Sequence, residues 1–311
     1  MNHRRHYLKN QITDVLRFLL GRRTAWRLGR SLYLNARADS PNVARLNGEE
    51  SLQRQLLTRF AAVPKNLVAF DVGANIGDWT CFLLQEAKRL NMEGRLEIHS
   101  FEPIPSTFMV LQERISKHQL RNIVHLVSQA LSNEDGTAEM YISGETAETN
   151  SLHPDATNRD QRRIQIDKTT AYTYCSRNDI AIIHFLKCDT EGHDMEVLRG
   201  AKRLFDEQRV MACQFEYNHR WVYSRHYLKD VFDMFEGTVY SVGKITPNGI
   251  ELYQGWHPEL ERFFEGNYIL LHSAALNWFT TMTGNYDAHN TYYAQPKRPA
   301  DSHSAALHAS G

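Results

Sequence analysis

Ionisable side chains stand at four alternate positions of one short segment at the end of the most apolar run of the chain. They are Lys187, Asp189, Glu191 and His193, within Lys187-Cys188-Asp189-Thr190-Glu191-Gly192-His193-Asp194. In an extended strand Lys187, Asp189 and Glu191 fall on one face. Charges on a buried strand are costly unless they are paired or used. Asp189, Glu191 and His193 can each take a proton from a hydroxyl, and the ordinary pKa of histidine suits His193 to that task near neutral pH. The competing reading is an ion pair of Lys187 with Asp189 or Glu191 that only fixes the loop. Asp189 and His193 are the two favoured bases, and the sequence does not choose between them. Glu216-Tyr217-Asn218-His219 closes the next strand; Glu216 and His219 are expected either at an acceptor or in a plain polar loop. A divalent metal on Asp189, Glu191 and Glu216 is chemically open to such hard oxygen ligands, but no spacing demands one, and none is assigned.

A second constellation lies upstream. Phe70-Asp71-Val72-Gly73-Ala74-Asn75-Ile76-Gly77 ends a short apolar run and opens a helical pattern. Glycines there permit a tight turn and close approach of backbone to a ligand. The spacing is not G-x-G-x-x-G, and the lysine of a phosphate-binding loop is missing. A carboxylate at the strand end, Asp71, suits a cationic ligand better than a pyrophosphate. The next strand ends in Phe101-Glu102-Pro103, where an acidic residue can accept hydrogen bonds from a ribose diol. S-adenosylmethionine carries an ammonium, a sulfonium and a ribose, and it fits both motifs.

The elements that must hold these residues alternate. Apolar runs at 67–72, 96–101, 123–131, 180–188 and 210–215 read as strands. Between or after them, 76–90, 105–118, 195–208 and 228–235 read as helices, and 237–272 as two or three further strands. Near-continuous apolar strands with intervening helices predict an α/β fold: a doubly wound, mostly parallel, Rossmann-like sheet covered by helices on both faces, with its ligand crevice at the strand carboxyl ends. The expected organisation is a basic, partly helical arm over 1–48, a catalytic domain over 49–278, and a structureless polar tail over 279–311.

These motifs together resemble the FkbM family of methyltransferases. The resemblance is carried by AFDVGANIGDWT (69–80), FEPIPSTF (101–108), SQALSNEDGTAEMYI (128–142), Asn150-Ser151-Leu152 and FLKCDTEGHDMEVLRGA (185–201). It spans about Leu67 to Glu216. It implies O-methylation of a sugar, glycan or natural product with S-adenosylmethionine as donor. Residue by residue, it implies that Asp71, Gly73, Asn75 and Gly77 line the methionine and sulfonium end and that Glu102 holds the ribose. Gln129 and Ala130 would lie against the adenine, and Asn150 and Ser151 would close over the cofactor. One departure stands out: the family's Thr-Leu-Asp ahead of the central strand is Thr170-Ala171-Tyr172 here, so a carboxylate is missing. The alternatives are a nicotinamide-dependent oxidoreductase on a similar fold and a catalytically inactive methyltransferase-like binding module.

Composition bounds the rest. The chain has 311 residues, 42% apolar and 23% charged, with no net charge, so overall charge selects no partner. Residues 1–40 carry nine Arg and Lys against two Asp, a basic arm suited to a solvated helix face or to peripheral contact with an anionic membrane. No basic face with stacking aromatics accompanies the catalytic motifs, so no nucleic-acid partner is expected. Cys81, Cys175, Cys188 and Cys213 have no metal-type spacing and read as buried, reduced thiols. No cleavable leader and no membrane-length apolar run is apparent, so a cytoplasmic location is expected.

Overall fold

The computed structural model describes residues 2–39, 43–142, 151–153 and 162–296. The chain divides into two compact units, residues 1–41 and 42–311. The first is helix α1 (Asn2–Ala36), broken by a kink at Gly21, where φ is 74° and ψ is 153°. Only glycine enters that region without strain.

The second unit begins with α2 (Ala44–Asn47) and α3 (Glu49–Ala61). Then the βα alternation sets in: β1 (Leu67–Val72), α4 (Asp78–Arg89), β2 (Leu96–Phe101), α5 (Pro105–Ser116) and β3 (Val124–Val127). A polar excursion follows, with β4 (Ala130–Leu131), β5 (Gly136–Ile142), β6 (Arg162–Thr169) and α6 (Ala171–Arg177). The core resumes at β7 (Phe185–Cys188), α7 (Asp194–Gly200), α8 (Lys202–Asp206), β8 (Ala212–Tyr217), α9 (Trp221–Ser224) and α10 (Leu228–Phe235). It closes with β9 (Tyr240–Thr246), β10 (Gly249–Tyr253), β11 (Gly266–His272), β12 (Thr281–Tyr286) and β13 (Tyr292–Pro296).

Ten strands form one sheet in the order β13-β12-β10-β9-β11-β8-β7-β1-β2-β3. From β3 to β8 every neighbour is parallel; β11 runs antiparallel between β8 and β9. The order reverses between β1 and β7, and such a switch point opens a crevice at the carboxyl ends. The doubly wound expectation is met, with a mixed extension at one edge that is antiparallel except where β12 joins β10. Strand alternation divides the core between the two faces. On β1, Leu67 and Ala69 join Leu56, Leu83 and Leu84 of α3 and α4, while Phe70 and Val72 join Val197, Leu198 and Val231 of α7 and α10. Full burial of such side chains contributes about 1.5–3 kcal/mol each before entropy is counted.

Three features depart from the expectations. β4, β5 and β6 form a separate three-stranded sheet, in the order β4-β6-β5. The apolar stretch at 180–188 is a strand only over Phe185–Cys188, with a single bridge from Ile183 to Val210 before it. Residues 281–296 were expected to be structureless but form β12 and β13, because β12 pairs in parallel with β10 and antiparallel with β13. Tyr286 also stacks on His257, with centroids 4.0 Å apart. All four cysteines are buried and unpaired. No helix among the described residues is long and apolar enough to cross a membrane.

Candidate active site

The carboxyl ends of β1, β2, β7 and β8, with the segment that follows β3, surround one cavity of about 760 Å³. That lies within the ordinary range for small-molecule sites. Its wall contains Gly73, Ala74 and Asn75 after β1, Glu102 to Ile104 after β2, and Gln129 to Leu131 beyond β3. Asp189 to Glu191 follow β7, and Asn218 to Arg220 follow β8.

The loop after β1 is fixed by two close contacts. Gly73 has φ +76°, and a Cβ there would overlap the carbonyl oxygen of Asp189. Asn75, also left-handed at φ 49°, donates its backbone N–H to Glu102 Oε2 at 3.0 Å. Glu102 Oε1 accepts the N–H of Ile104 at 2.9 Å. Each oxygen keeps a second lone pair for a ligand hydroxyl. Burial raises the Glu102 pKa to about 7, against the pull of these two backbone donors. Gln129 and Ala130 line the cavity, and Ile104, Leu131, Met140 and Leu152 add apolar wall beside them.

Not every expected ligand faces the cavity. Asp71 is fully enclosed and does not line it. Its Oδ2 accepts from the Thr80 hydroxyl at 2.7 Å, and its Oδ1 lies 3.6 Å from Lys187 Nζ. Gly77 packs under α5, where a Cβ would come within 2.6 Å of Leu111 Cδ1. Ser151 is buried, donates its hydroxyl to the Glu191 carbonyl at 2.7 Å, and so ties down the segment that presents Leu152. Asn150 lies outside the described residues.

Lys187 is the hinge of the charge distribution. Asp71, Lys187 and Gln214 are register partners across β1, β7 and β8 and form a polar row beneath the start of α3. Glu49 caps this row, accepting from Gln214 Nε2 at 2.6 Å, Asn267 Nδ2 at 3.0 Å and Asn47 Nδ2 at 2.6 Å. Lys187 Nζ is 3.2 Å from Asp189 Oδ2. Burial pushes the lysine pKa down, but Asp189, Asp71 and Glu49 outweigh it and hold the ammonium charged. Burial likewise raises Asp71, opposed by Lys187 and Thr80.

Glu191 does not pair with Lys187. The strand ends at Cys188, the backbone turns left-handed at Glu191 with φ 56°, and the carboxylate meets Arg220 Nε at 2.9 Å. Burial, then Asp189, raises Glu191 to about 8. Burial also raises Asp194 to about 7 and Glu216 well above the usual carboxylate range. Asp189, Glu191 and Glu216 bring ligand oxygens within 4.8 Å of one another, a concentration of negative charge that a cation would relieve.

His193 lines the cavity but is ill suited to act as a base. Its Nε2 lies 3.0 Å from Ser132 Oγ and its Nδ1 3.3 Å from His153 Nε2. Burial, with His153 beside it, lowers its pKa to about 3. Asp189 has one side open to the cavity, its side chain being 33% exposed.

Several residues carry weight that sequence reasoning did not assign. Glu49 comes from a helix upstream of every motif, and no local pattern marks it. Trp79 lines the cavity with its indole N–H buried and without an acceptor among the described residues, a donor available to a ligand carboxylate. Asp135, ahead of β5, is another. It accepts from Thr169 Oγ1, the Thr170 N–H and Thr173 Oγ1 at 2.6, 3.1 and 3.0 Å and anchors the start of α6.

The described cavity wall holds seven carboxylates and three cations. Each cation already has a carboxylate partner: Arg114 with Asp78 at 2.6 Å, Lys187 with Asp189, and Arg220 with Glu191. A pyrophosphate would enter an acidic site with no unpaired cation on that wall. A ligand with positive charge, a diol for Glu102 and a carboxylate for Trp79 fits it.

The Methyltransferase FkbM domain family matches residues 71–242. The chain is 30% identical over 162 residues to the 31-O-demethyl-FK506 methyltransferase FkbM of Streptomyces tacrolimicus, covering 43% of this chain and 59% of that protein. It is 26% identical over 157 residues to Methyltransferase 1 of Beauveria bassiana, covering 45% and 60%. The chain thus spans about three fifths of the length of these curated relatives. Among solved structures it is similar to Methyltransferase FkbM from Methylobacillus flagellatus, with 15% identity, a TM-score of 0.42, and 70% of this chain and 47% of that one covered. The match over 71–242 takes in every strand-end motif of the cavity from Asp71 to Arg220, and the chain belongs to the FkbM methyltransferase domain family.

Proposed function

We propose that the chain is an S-adenosylmethionine-dependent O-methyltransferase acting on a hydroxyl of a sugar, glycan or natural product. The observation that carries this reading is the acidic cavity at the β1/β7 switch point, lined by Glu102 after β2 and by Asp189 after β7. The similarity to the Streptomyces 31-O-demethyl-FK506 methyltransferase supports a hydroxyl acceptor.

When bound, S-adenosylmethionine supplies an electrophilic methyl group on a cationic sulfur. The chain's own residues do the rest. Glu102 accepts hydrogen bonds from the ribose, and the apolar wall from Ile104 to Leu152 flanks the adenine. Gly73 and Asn75 give the methionine end close access to backbone. The carboxylates facing the cavity favour the positive charge before transfer and release the neutral thioether after it. Asp189 takes the proton of the acceptor hydroxyl as oxygen attacks carbon in line, and Lys187 holds that carboxylate in position. Glu191, clamped by Arg220, and His219 border the acceptor side.

A methyl-transfer assay against a panel of sugars and hydroxylated metabolites, with amine and thiol analogues beside them, tests the acceptor class. Transfer only to hydroxyls is expected; transfer only to amines or thiols would overturn the assignment. An inactive chain that still binds the cofactor would favour the binding-module alternative.

A further inference from the structure

A second cluster of ligand-type side chains lies on the face of the sheet that α6 covers, remote from the strand ends that build the cavity. Glu97 and His99 occupy alternate positions of β2, and His125 of β3 is the register partner of His99. Alternation puts all three on one face. The Nε2 atoms of His99 and His125 lie 3.1 and 3.2 Å from the same oxygen, Glu97 Oε1. Ligand atoms of the three residues are all within 4.8 Å of one another. Ligands at about 2.0–2.2 Å from a tetrahedral zinc are separated by about 3.3–3.5 Å, near the two N–O distances here. The rings of His99 and His125 stack at 12° with centroids 4.6 Å apart, so the half-exposed His125 ring must turn for both Nε2 lone pairs to meet one ion.

The outer contacts also suit a metal. Nδ1 of His99 is 2.9 Å from the hydroxyl of Tyr174 on α6. Metal-bound histidines characteristically have their second nitrogen held in this way, which fixes ring and tautomer. If Nδ1 donates to Tyr174, the Nε2 lone pair of His99 faces a carboxylate oxygen, and a cation must lie between them. In the opposite tautomer Tyr174 donates, and Nε2–H simply hydrogen-bonds Glu97. His99 is buried and held neutral, since burial, with His125 next to it, lowers its pKa to about 3. Glu97 and His125 are half exposed, at 46% and 51% of their side chains, so an ion has a route in and a water can complete the coordination.

We infer that Glu97, His99 and His125 form a site for a zinc-class divalent transition metal, with two imidazoles, one carboxylate and solvent as ligands. Binding needs each imidazole in its Nδ1–H form: a proton carried by Nε2 moves to Nδ1 of the same ring, three coordinate bonds form, and no electron is transferred. The ion clips the four-residue edge strand β3 to β2. Phe101 and Tyr174, in edge contact at 4.8 Å, lie between this site and Glu102, so the clip also steadies the loop expected to hold the ribose.

The test uses the untagged full chain, stripped with a chelator, titrated with Zn²⁺ by calorimetry and with Co²⁺ by visible absorption. One saturable Zn²⁺ site is expected, with cobalt bands of a low-coordinate nitrogen–oxygen environment. Glu97→Gln and His125→Ala, each at a half-exposed position, should weaken binding by about 10–100-fold or more. Asp189→Asn should leave it unchanged, which separates this site from the acidic cavity. Binding equally tight in both ligand variants would overturn the inference. So would binding lost in Asp189→Asn alone, or no zinc binding by the wild-type chain. Melting curves without metal show whether His125→Ala folds; if it does not, Glu97→Gln and His125→Gln carry the comparison.

Discussion

Gly73, at the end of β1, lies directly against the carbonyl group of Asp189, at the end of β7. A Cβ at position 73 would overlap that oxygen, and φ of +76° would strain any other residue there. The proposed cofactor loop and the proposed base are therefore set by one contact. Gly73→Ala should displace both, costing about 1–3 kcal/mol of stability and reducing cofactor affinity together with turnover. Gly94→Ala, where the added Cβ meets nothing, is the control. Melting curves and calorimetry on both variants check this; a Gly73→Ala protein with wild-type affinity would show that the loop tolerates the shift.

Asp189 and Lys187 separate chemistry from architecture. Asp189→Asn should lower the single-turnover rate by about 10²–10⁴-fold with little change in cofactor affinity. Lys187→Met leaves Asp71 buried without its counter-charge and should cost about 3–5 kcal/mol of stability. Rate and melting temperature measured on the same preparations decide between the roles. A destabilised Asp189→Asn with a wild-type rate would reduce Asp189 to a partner of Lys187.

His193 should behave as a packing residue. His193→Ala loses the contacts with Ser132 and His153 and should destabilise the fold by about 1–3 kcal/mol. The single-turnover rate of the folded fraction should stay near wild type. A loss of rate as large as that of Asp189→Asn would restore His193 as a base.

The pH dependence of binding follows from Glu102. Its carboxyl, raised to about 7, is protonated on the acid side and loses an acceptor for the ribose. A ligand that prefers the ionised form lowers that pKa and releases a proton, so affinity should rise between about pH 6 and pH 8. Asp194 and Glu191 titrate nearby, so the informative quantity is the difference from Glu102→Gln, whose profile should be flatter. Identical profiles would remove Glu102 from the ribose position.

Much of the site was legible because a doubly wound sheet places its chemistry at strand ends. Gly73, Asn75, Glu102, Gln129, Ala130, Lys187, Asp189, Glu191 and His193 all line the cavity. What was not legible depended on where strands stop. Alternation put Glu191 on the face of Lys187, but β7 ends at Cys188 and Glu191 turns to Arg220. Asp71 has the expected residue type and strand, yet its alternation points it toward Thr80 rather than the crevice. Glu49 reaches the polar row only through the packing of α3, a long-range contact without a local pattern. β12 and β13 are rich in Thr, Tyr and Asn, and their order comes from pairing with β10 rather than from an apolar period.

The account rests on a cationic nucleoside ligand in the acidic cavity, and calorimetry with S-adenosylmethionine, S-adenosylhomocysteine and NAD tests it most directly. Saturable binding of the first two and none of NAD is predicted, with Glu102→Ala weakening binding by about 1–3 kcal/mol. Binding of NAD with no response to either methyl-cycle ligand, or unchanged affinity in Glu102→Ala, would contradict it.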